Sequence, residues 1–170
     1  MRGFVSIFVV YVLLALESPL LDKLDLAFYA PDLALIVVLH LAMGSRTAAG
    51  VLTAMAIGLL KDGFALGSPV GLYTEVLVVV FLLAKIVGRR FRLNATFTGM
   101  LTAFVGSLVS SVMFLLLTLI FDRSFDDYGL IFRMMGPQAI VTAPFAPLIF
   151  MLMERVDRLT IRRRGTLFFG

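Results

Sequence analysis

Histidine occurs once in this chain of 170 residues, as His40, and cysteine does not occur. Nucleophilic catalysis by a serine needs a histidine base beside it. His40 stands inside the apolar run VVLHLAMG, so it reads as a core or interfacial histidine. Without cysteine there is no disulfide, thiol nucleophile or thiolate metal site. Metal centres take three or four ligands, and nothing at ligand spacing surrounds His40. No glycine-rich phosphate loop is present. Neither an enzyme nor a cofactor or metal is therefore expected.

Two carboxylates carry more information, Asp62 and Glu75. An acidic group at the centre of a bilayer costs at least about 2.5–3.5 kcal/mol, so it normally faces protein or water. Asp62 follows Lys61 at the end of an apolar run. It reads either as a solvated loop residue or as a carboxylate that organises the turn to the next helix. In the second case it accepts hydrogen bonds from backbone amides of the stretch DGFALGSPVG. Glycine there supplies positive φ, and Pro69 suits a first helical turn. Glu75, six residues past Pro69, is placed near a membrane boundary and, with Tyr73, is a candidate pocket residue.

A bilayer is implied by composition. The chain is 61% hydrophobic and 15% charged, with a mean hydropathy of +1.04. Soluble domains are about 45–50% apolar and about 25% charged. A single transmembrane domain over residues 1–170 is expected. The runs are apolar on all sides, as in VLVVVFLLA, whereas barrel strands alternate with period two. The expected class is thus an all-α integral membrane protein with six transmembrane helices. The runs are Phe4 to Leu16 (extending towards Leu21), Leu26 to Met43, Thr47 to Leu60, about Val70 to Val87, Ala95 to Phe121, and about Leu130 to Met153.

The second run is broken by Pro31-Asp32, which leaves eleven residues, about 16 Å of helix. The hydrocarbon layer is about 30 Å thick. This segment is therefore short: it starts before Pro31 and is tilted, or is re-entrant, or does not span alone. The first run has one preceding arginine, as signal peptides do, but no small-x-small cleavage site follows cleanly, so it is expected to be retained.

Charge placement sets the orientation. With six spans and both termini cytoplasmic, the clusters at 89–92 and 155–164 join Arg2, Arg46 and Lys85 inside. Only Lys23, Lys61, Arg123 and Arg133 then lie outside, as the positive-inside rule requires. The basic balance is therefore read as orientation and contact with membrane lipid, not as nucleic-acid binding. The acidic loop residues Glu17, Asp22, Asp25, Asp32, Asp122, Asp126 and Asp127 read as solvated, and Asn94-Ala95-Thr96 as a chance match to the glycosylation pattern.

Small residues let membrane helices approach closely. Gly50, Ala54 and Gly58 recur every four residues, with Asp62 next in the row. Gly99, Ala103, Ser107 and Ser111 do the same in the fifth run. Each row serves internal packing or, if exposed, docking of a partner's membrane helix.

The order APDLALIVVLHLAMGSR, GLLKDGFALGSPVGLY and VTAPFAPLIFMLMERV resembles the MreD family of rod shape-determining membrane proteins over most of the chain. The resemblance rests on Pro31-Asp32-Leu33, the stretch from Gly58 to Asp62, Pro69-x-Gly71, and the stretch from Thr142 through Pro144 to Pro147. Lys61 departs from it where an apolar residue is usual, and Tyr73 where histidine is common. The resemblance implies a non-enzymatic component of bacterial cell-wall elongation in the inner membrane. Its implied partner is a single-span MreC-like protein and, through that, a SEDS glycosyltransferase and a class B penicillin-binding protein. A fold similar to the S-components of energy-coupling-factor transporters is implied too, and a homo-oligomer is left open. Two other readings stand beside it, an S-component of a vitamin transporter and a lipid-precursor-binding protein. The first run lacks the alanine-x-x-x-alanine row by which S-components couple to their energising partner, and carries Phe4, Phe8 and Tyr11 on one face instead.

Overall fold

The computed structural model describes residues 2–24, 30–64, 71–88, 96–121 and 128–165. Among them are six α-helices and no strand: α1 (Arg2–Leu24), α2 (Leu33–Gly44), α3 (Thr47–Phe64), α4 (Leu72–Gly88), α5 (Thr96–Phe121) and α6 (Tyr128–Gly165). Three helical stretches are long and apolar enough to cross a membrane: Thr47–Phe64, Phe97–Ile120 and Met135–Arg158. Gly3–Leu16 and Leu33–Gly44 are shorter apolar helices.

One helix organises the others. The sequence of α2, LALIVVLHLAMG, is apolar all round, and such a helix belongs in an interior. Every residue from Ala34 to Leu39, with Leu41 and Ala42, is buried. Around α2 the helices close a ring in the order α1, α3, α4, α5, α6 and back to α1, and each of the five also touches α2. The segment does not start before Pro31, because residues 30–32 are not helical and Asp32 caps the helix from Leu33. At 12 residues it is about 18 Å long, shorter than the hydrocarbon layer is thick.

Side-chain contacts fix the helix directions. Asp32 meets Thr142 and His40 meets Phe150, so α2 and α6 run parallel. Gly50 lies against Phe81 and Gly58 against Thr74, so α3 and α4 are antiparallel. Gly3 lies by Thr53 and Tyr11 by Phe64, so α1 runs with α3. Gly106 lies by Leu39 and Phe114 by Tyr73, so α5 also runs with α3. Directions thus alternate along the chain.

The helices differ in reach. From the level of Asp32, Asp62 and Tyr73, α1 continues about 20 Å beyond Tyr11 and α6 begins about 21 Å before Thr142. By contrast α2, α3 and α4 all have an end at that level. Helix α6 is continuous through Pro137, Pro144 and Pro147, longer than the run read from the sequence. Ring neighbours supply the packing that lets a membrane helix tolerate proline.

Both small-residue rows are used up inside the chain. Gly50, Ala54 and Gly58 are buried, and a Cβ at Gly58 would fall on the backbone of Thr74. Ala103, Ser107 and Ser111 are buried as well, and a Cβ at Gly99 would stand 3.2 Å from the Phe150 ring. Each residue of both rows is thus buried among the helices of this chain. The reason is geometric: α4 and α6 need exactly those gaps to reach α3 and α5.

Gly58→Ala is expected to destabilise the protein by about 1–3 kcal/mol through overpacking against backbone that has no rotamer to yield. Gly63→Ala, with nothing near its Cβ position, serves as the control. Thermal unfolding of the purified protein in detergent would check this, with loss of stability confined to Gly58→Ala.

Candidate functional site

At one end of the bundle the chain gathers its buried charges. Pro31 and Asp32 lead into α2, and the Pro31 carbonyl accepts from Leu33 N–H at 2.9 Å. The first amides of a helix lack intrahelical partners. Asp32 Oδ1 accepts from Leu35 N–H at 3.0 Å, satisfying one of them. The backbone N–H of Asp32 donates to Thr142 Oγ1 on α6, also at 3.0 Å. Its other carboxylate oxygen takes the Lys61 ammonium from α3 at 2.6 Å. This ion pair is largely buried, with side-chain exposures of 16% for Lys61 and 6% for Asp32, so Asp32 is not the solvated loop residue the sequence suggests but a buried cap of α2. Lys61 Nζ also sits 4.5 Å from the Tyr73 ring centroid, a cation–π distance. Tyr73 packs in turn on Phe114 of α5, with centroids 5.2 Å apart. One connected cluster therefore joins α2, α3, α4, α5 and α6.

Asp62 performs a parallel task one residue on. It is buried in the last turn of α3, not in a loop, because α3 runs four residues past the expected end at Leu60. Its carboxylate accepts from Tyr73 N–H at 2.9 Å, Thr74 N–H at 3.2 Å and the Thr74 hydroxyl at 2.6 Å. It thus caps the N-terminus of α4 from a neighbouring helix. The sequence reading put these amides within DGFALGSPVG; those it holds lie two and three residues beyond that stretch, at Tyr73 and Thr74. Gly71, at the turn into α4, has φ +101°, a backbone conformation L side chains rarely adopt. Pro69 lies outside the described residues.

The structure does not bring Tyr73 and Glu75 into one pocket. Residues two apart on a helix face nearly opposite ways. Tyr73 turns into the cluster beneath Lys61, whereas Glu75 is exposed on the outer face of α4. Pro144, too, is exposed, on the surface of α6.

The opposite end of α2 has its own ties. His40 Nε2 lies 3.3 Å from Asp157 Oδ2 on α6. Its ring stands 5.6 Å from that of Phe150. Lys85 of α4 donates to the Ser45 carbonyl at the C-terminal end of α2. Sequence reasoning left Asp157 unassigned. Its signal was an acidic residue set among arginines, and what it pairs with depends on α2 and α6 running parallel.

The model of the MreD family, the rod shape-determining protein, matches residues 1–156. The chain belongs to the MreD family. No curated protein and no solved structure matches it. The MreD family comprises shape-determining membrane proteins and is not a known family of enzymes. Of the motif residues named above, Asp32 and Asp62 cap α2 and α4, and Gly58 lies against the backbone of Thr74. Lys61 and Tyr73 are in contact with each other.

Breaking a buried ion pair by removing one partner typically costs about 3–5 kcal/mol, because the other charge is stranded. Lys61→Met is expected to lose stability on that scale. Adding Asp32→Asn, which keeps an oxygen for Leu35 N–H, should restore part of the loss. A double-mutant cycle by thermal unfolding measures this, and strict additivity of the two changes would contradict a coupled pair.

Proposed function

We propose that this chain is a non-enzymatic membrane component of the bacterial cell-wall elongation complex. In this reading it crosses the cytoplasmic membrane six times, has both termini inside and adopts an S-component-like fold. It binds a single-span MreC-like protein and, through it, influences a SEDS glycosyltransferase and a class B penicillin-binding protein. The observation that carries the reading is membership of the MreD family over residues 1–156. Alternating helix directions support six crossings, and the charge distribution supports the orientation.

The disposition of side chains fits a protein that works by binding. The buried charges described above tie helices to one another. Large apolar side chains are spread over the outside of the ring, among them Phe4 and Phe8 on α1, Ile86 on α4, Leu101 on α5 and Leu148 on α6. Since the small-residue rows are internal, a partner helix would have to meet these larger side chains.

The test is affinity purification of the tagged chain from its own membranes, with bound proteins and small molecules identified by mass spectrometry. An MreC-like protein should be recovered in near-stoichiometric amount, and depletion of the chain should round the cells. Recovery of a tightly bound vitamin with transporter energising subunits, and normal cell shape on depletion, would replace this reading with that of an S-component. A co-purifying lipid-linked precursor without an MreC-like protein would replace it with lipid handling.

A further inference from the structure

Helix α6 holds three prolines in its interior, Pro137, Pro144 and Pro147. Proline has no N–H, and its ring crowds the carbonyl four residues back. The carbonyls of Arg133, Ile140 and Ala143 therefore lose their donors in the next turn. The helix stays α-helical from Tyr128 to Gly165, with no 3₁₀ or π turn inserted to pair them again. Among the described residues, no side chain and no other helix donates to the Ile140 or the Ala143 carbonyl.

Depth makes these two carbonyls costly. Residues 134 to 153 of α6 carry no charge. Arg133 and Glu154, which bound that stretch, are 21 residues apart, about 32 Å, close to the thickness of the hydrocarbon layer. Ile140 lies about 10 Å and Ala143 about 15 Å from Arg133 along the helix. The Arg133 carbonyl stands at the boundary, within reach of water. The other two stand in hydrocarbon, and acyl chains offer no donor to a backbone carbonyl.

The Ile140 carbonyl opens on the face that Ile140 shares with Pro144, and both residues are exposed on the outside of the ring. Thr142 faces the other way, towards Asp32. Exposed Ile140, Pro144, Leu148, Met151 and Arg155 recur at intervals of three and four, a seam along which a second helix can lie. Helices α3, α4 and α5 contain no proline, so their outer faces expose no such acceptor, and lipid suits them as well as protein does.

We propose that the outer face of α6 seats the membrane helix of the partner, and that a Ser, Thr, Asn or Gln side chain of that helix donates to the Ile140 carbonyl. Such side chains join membrane helices by hydrogen bonds. The proposal rests on the reading that this chain works by holding a single-span protein.

Two experiments on the full chain in its own membranes test it. Pro144→Ala returns an N–H to position 144, so the Ile140 carbonyl is served within α6 and no longer needs the partner. Recovery of the single-span protein by affinity purification should then fall about three- to tenfold, the range expected for one hydrogen bond between membrane helices. Thermal unfolding in detergent checks that the variant is folded. A photoreactive benzophenone amino acid is placed at exposed Phe145 or Leu148 on α6, and at Ile86 on α4 or Leu101 on α5 for comparison. The α6 positions should form adducts with the membrane span of the partner, at a turn that carries Ser, Thr, Asn or Gln, and the α4 and α5 positions should not. These positions leave Pro144 in place, so they decide the matter even if Pro144→Ala folds poorly. Unchanged recovery with a folded Pro144→Ala would overturn the proposal. So would adducts at positions 145 and 148 that hold only lipid or a second copy of this chain, or a linked turn that is wholly aliphatic. If the unaltered chain recovers no single-span protein at all, it is the partner reading itself that has fallen.

Discussion

A helix buried on every side inside a membrane protein must find partners for its own ends. Where an end is buried, an unsatisfied backbone group costs several kcal/mol. Helix α2 meets this constraint closely, since it has only 12 residues and a ring of five helices around it. Its start is buried at Asp32, whereas Met43 and Gly44 at its other end are exposed, and side chains close both ends. Asp32 closes one by capping Leu35 N–H while it holds Lys61 and Thr142. Lys85 closes the other at the Ser45 carbonyl, and the Ser45 hydroxyl donates to the Leu41 carbonyl at 2.6 Å. The sites where ring helices touch the ends of α2 are then fixed by chemistry, and the rest of the packing follows.

One consequence is the placement of small residues. For Lys61 to reach Asp32, α3 must run beside α2, and Asp62 then faces the start of α4. That brings the α3 and α4 backbones together at Gly58, where even a methyl group would collide with Thr74. The glycines at 50 and 58 and the alanine between them are therefore the steric counterpart of the charges at 61 and 62. In a bilayer, apolar surface gains little by leaving lipid for protein, so close backbone approach and satisfied polar groups must supply the association. Both sources act here along one helix, within three turns.

This division explains what was legible in the sequence. Helix positions came through because a run apolar on all sides has one reading in a bilayer, and the periodicity of Gly50, Ala54 and Gly58 named the packing face of α3. The break at Pro31-Asp32 announced a short second segment. What stayed hidden was relational. Lys61-Asp62 read as the end of a run because two charges are expected in water, and only their partners on α2 and α4 explain how α3 carries them indoors. Likewise Asp157 lay among arginines as an ordinary tail residue, since nothing local reveals that α6 runs parallel to α2. The supposed pocket of Tyr73 and Glu75 failed for a local reason, the 200° between residues two apart on a helix.

Lys61 and Tyr73 can be understood together. An apolar residue at position 61 would leave the Asp32 carboxylate with Leu35 N–H but without a cation, in a place where an isolated charge is costly. Lysine at 61 supplies the counter-charge, and its ammonium in turn needs more than one partner once it is buried. Tyr73 presents the face of its ring to that ammonium, which a protonated histidine would instead repel. A buried lysine at 61 therefore suits an aromatic, uncharged residue at 73. The pair also links α3 to α4 beside the point where Asp62 already joins them, a second fastening of the same two helices to the buried end of α2.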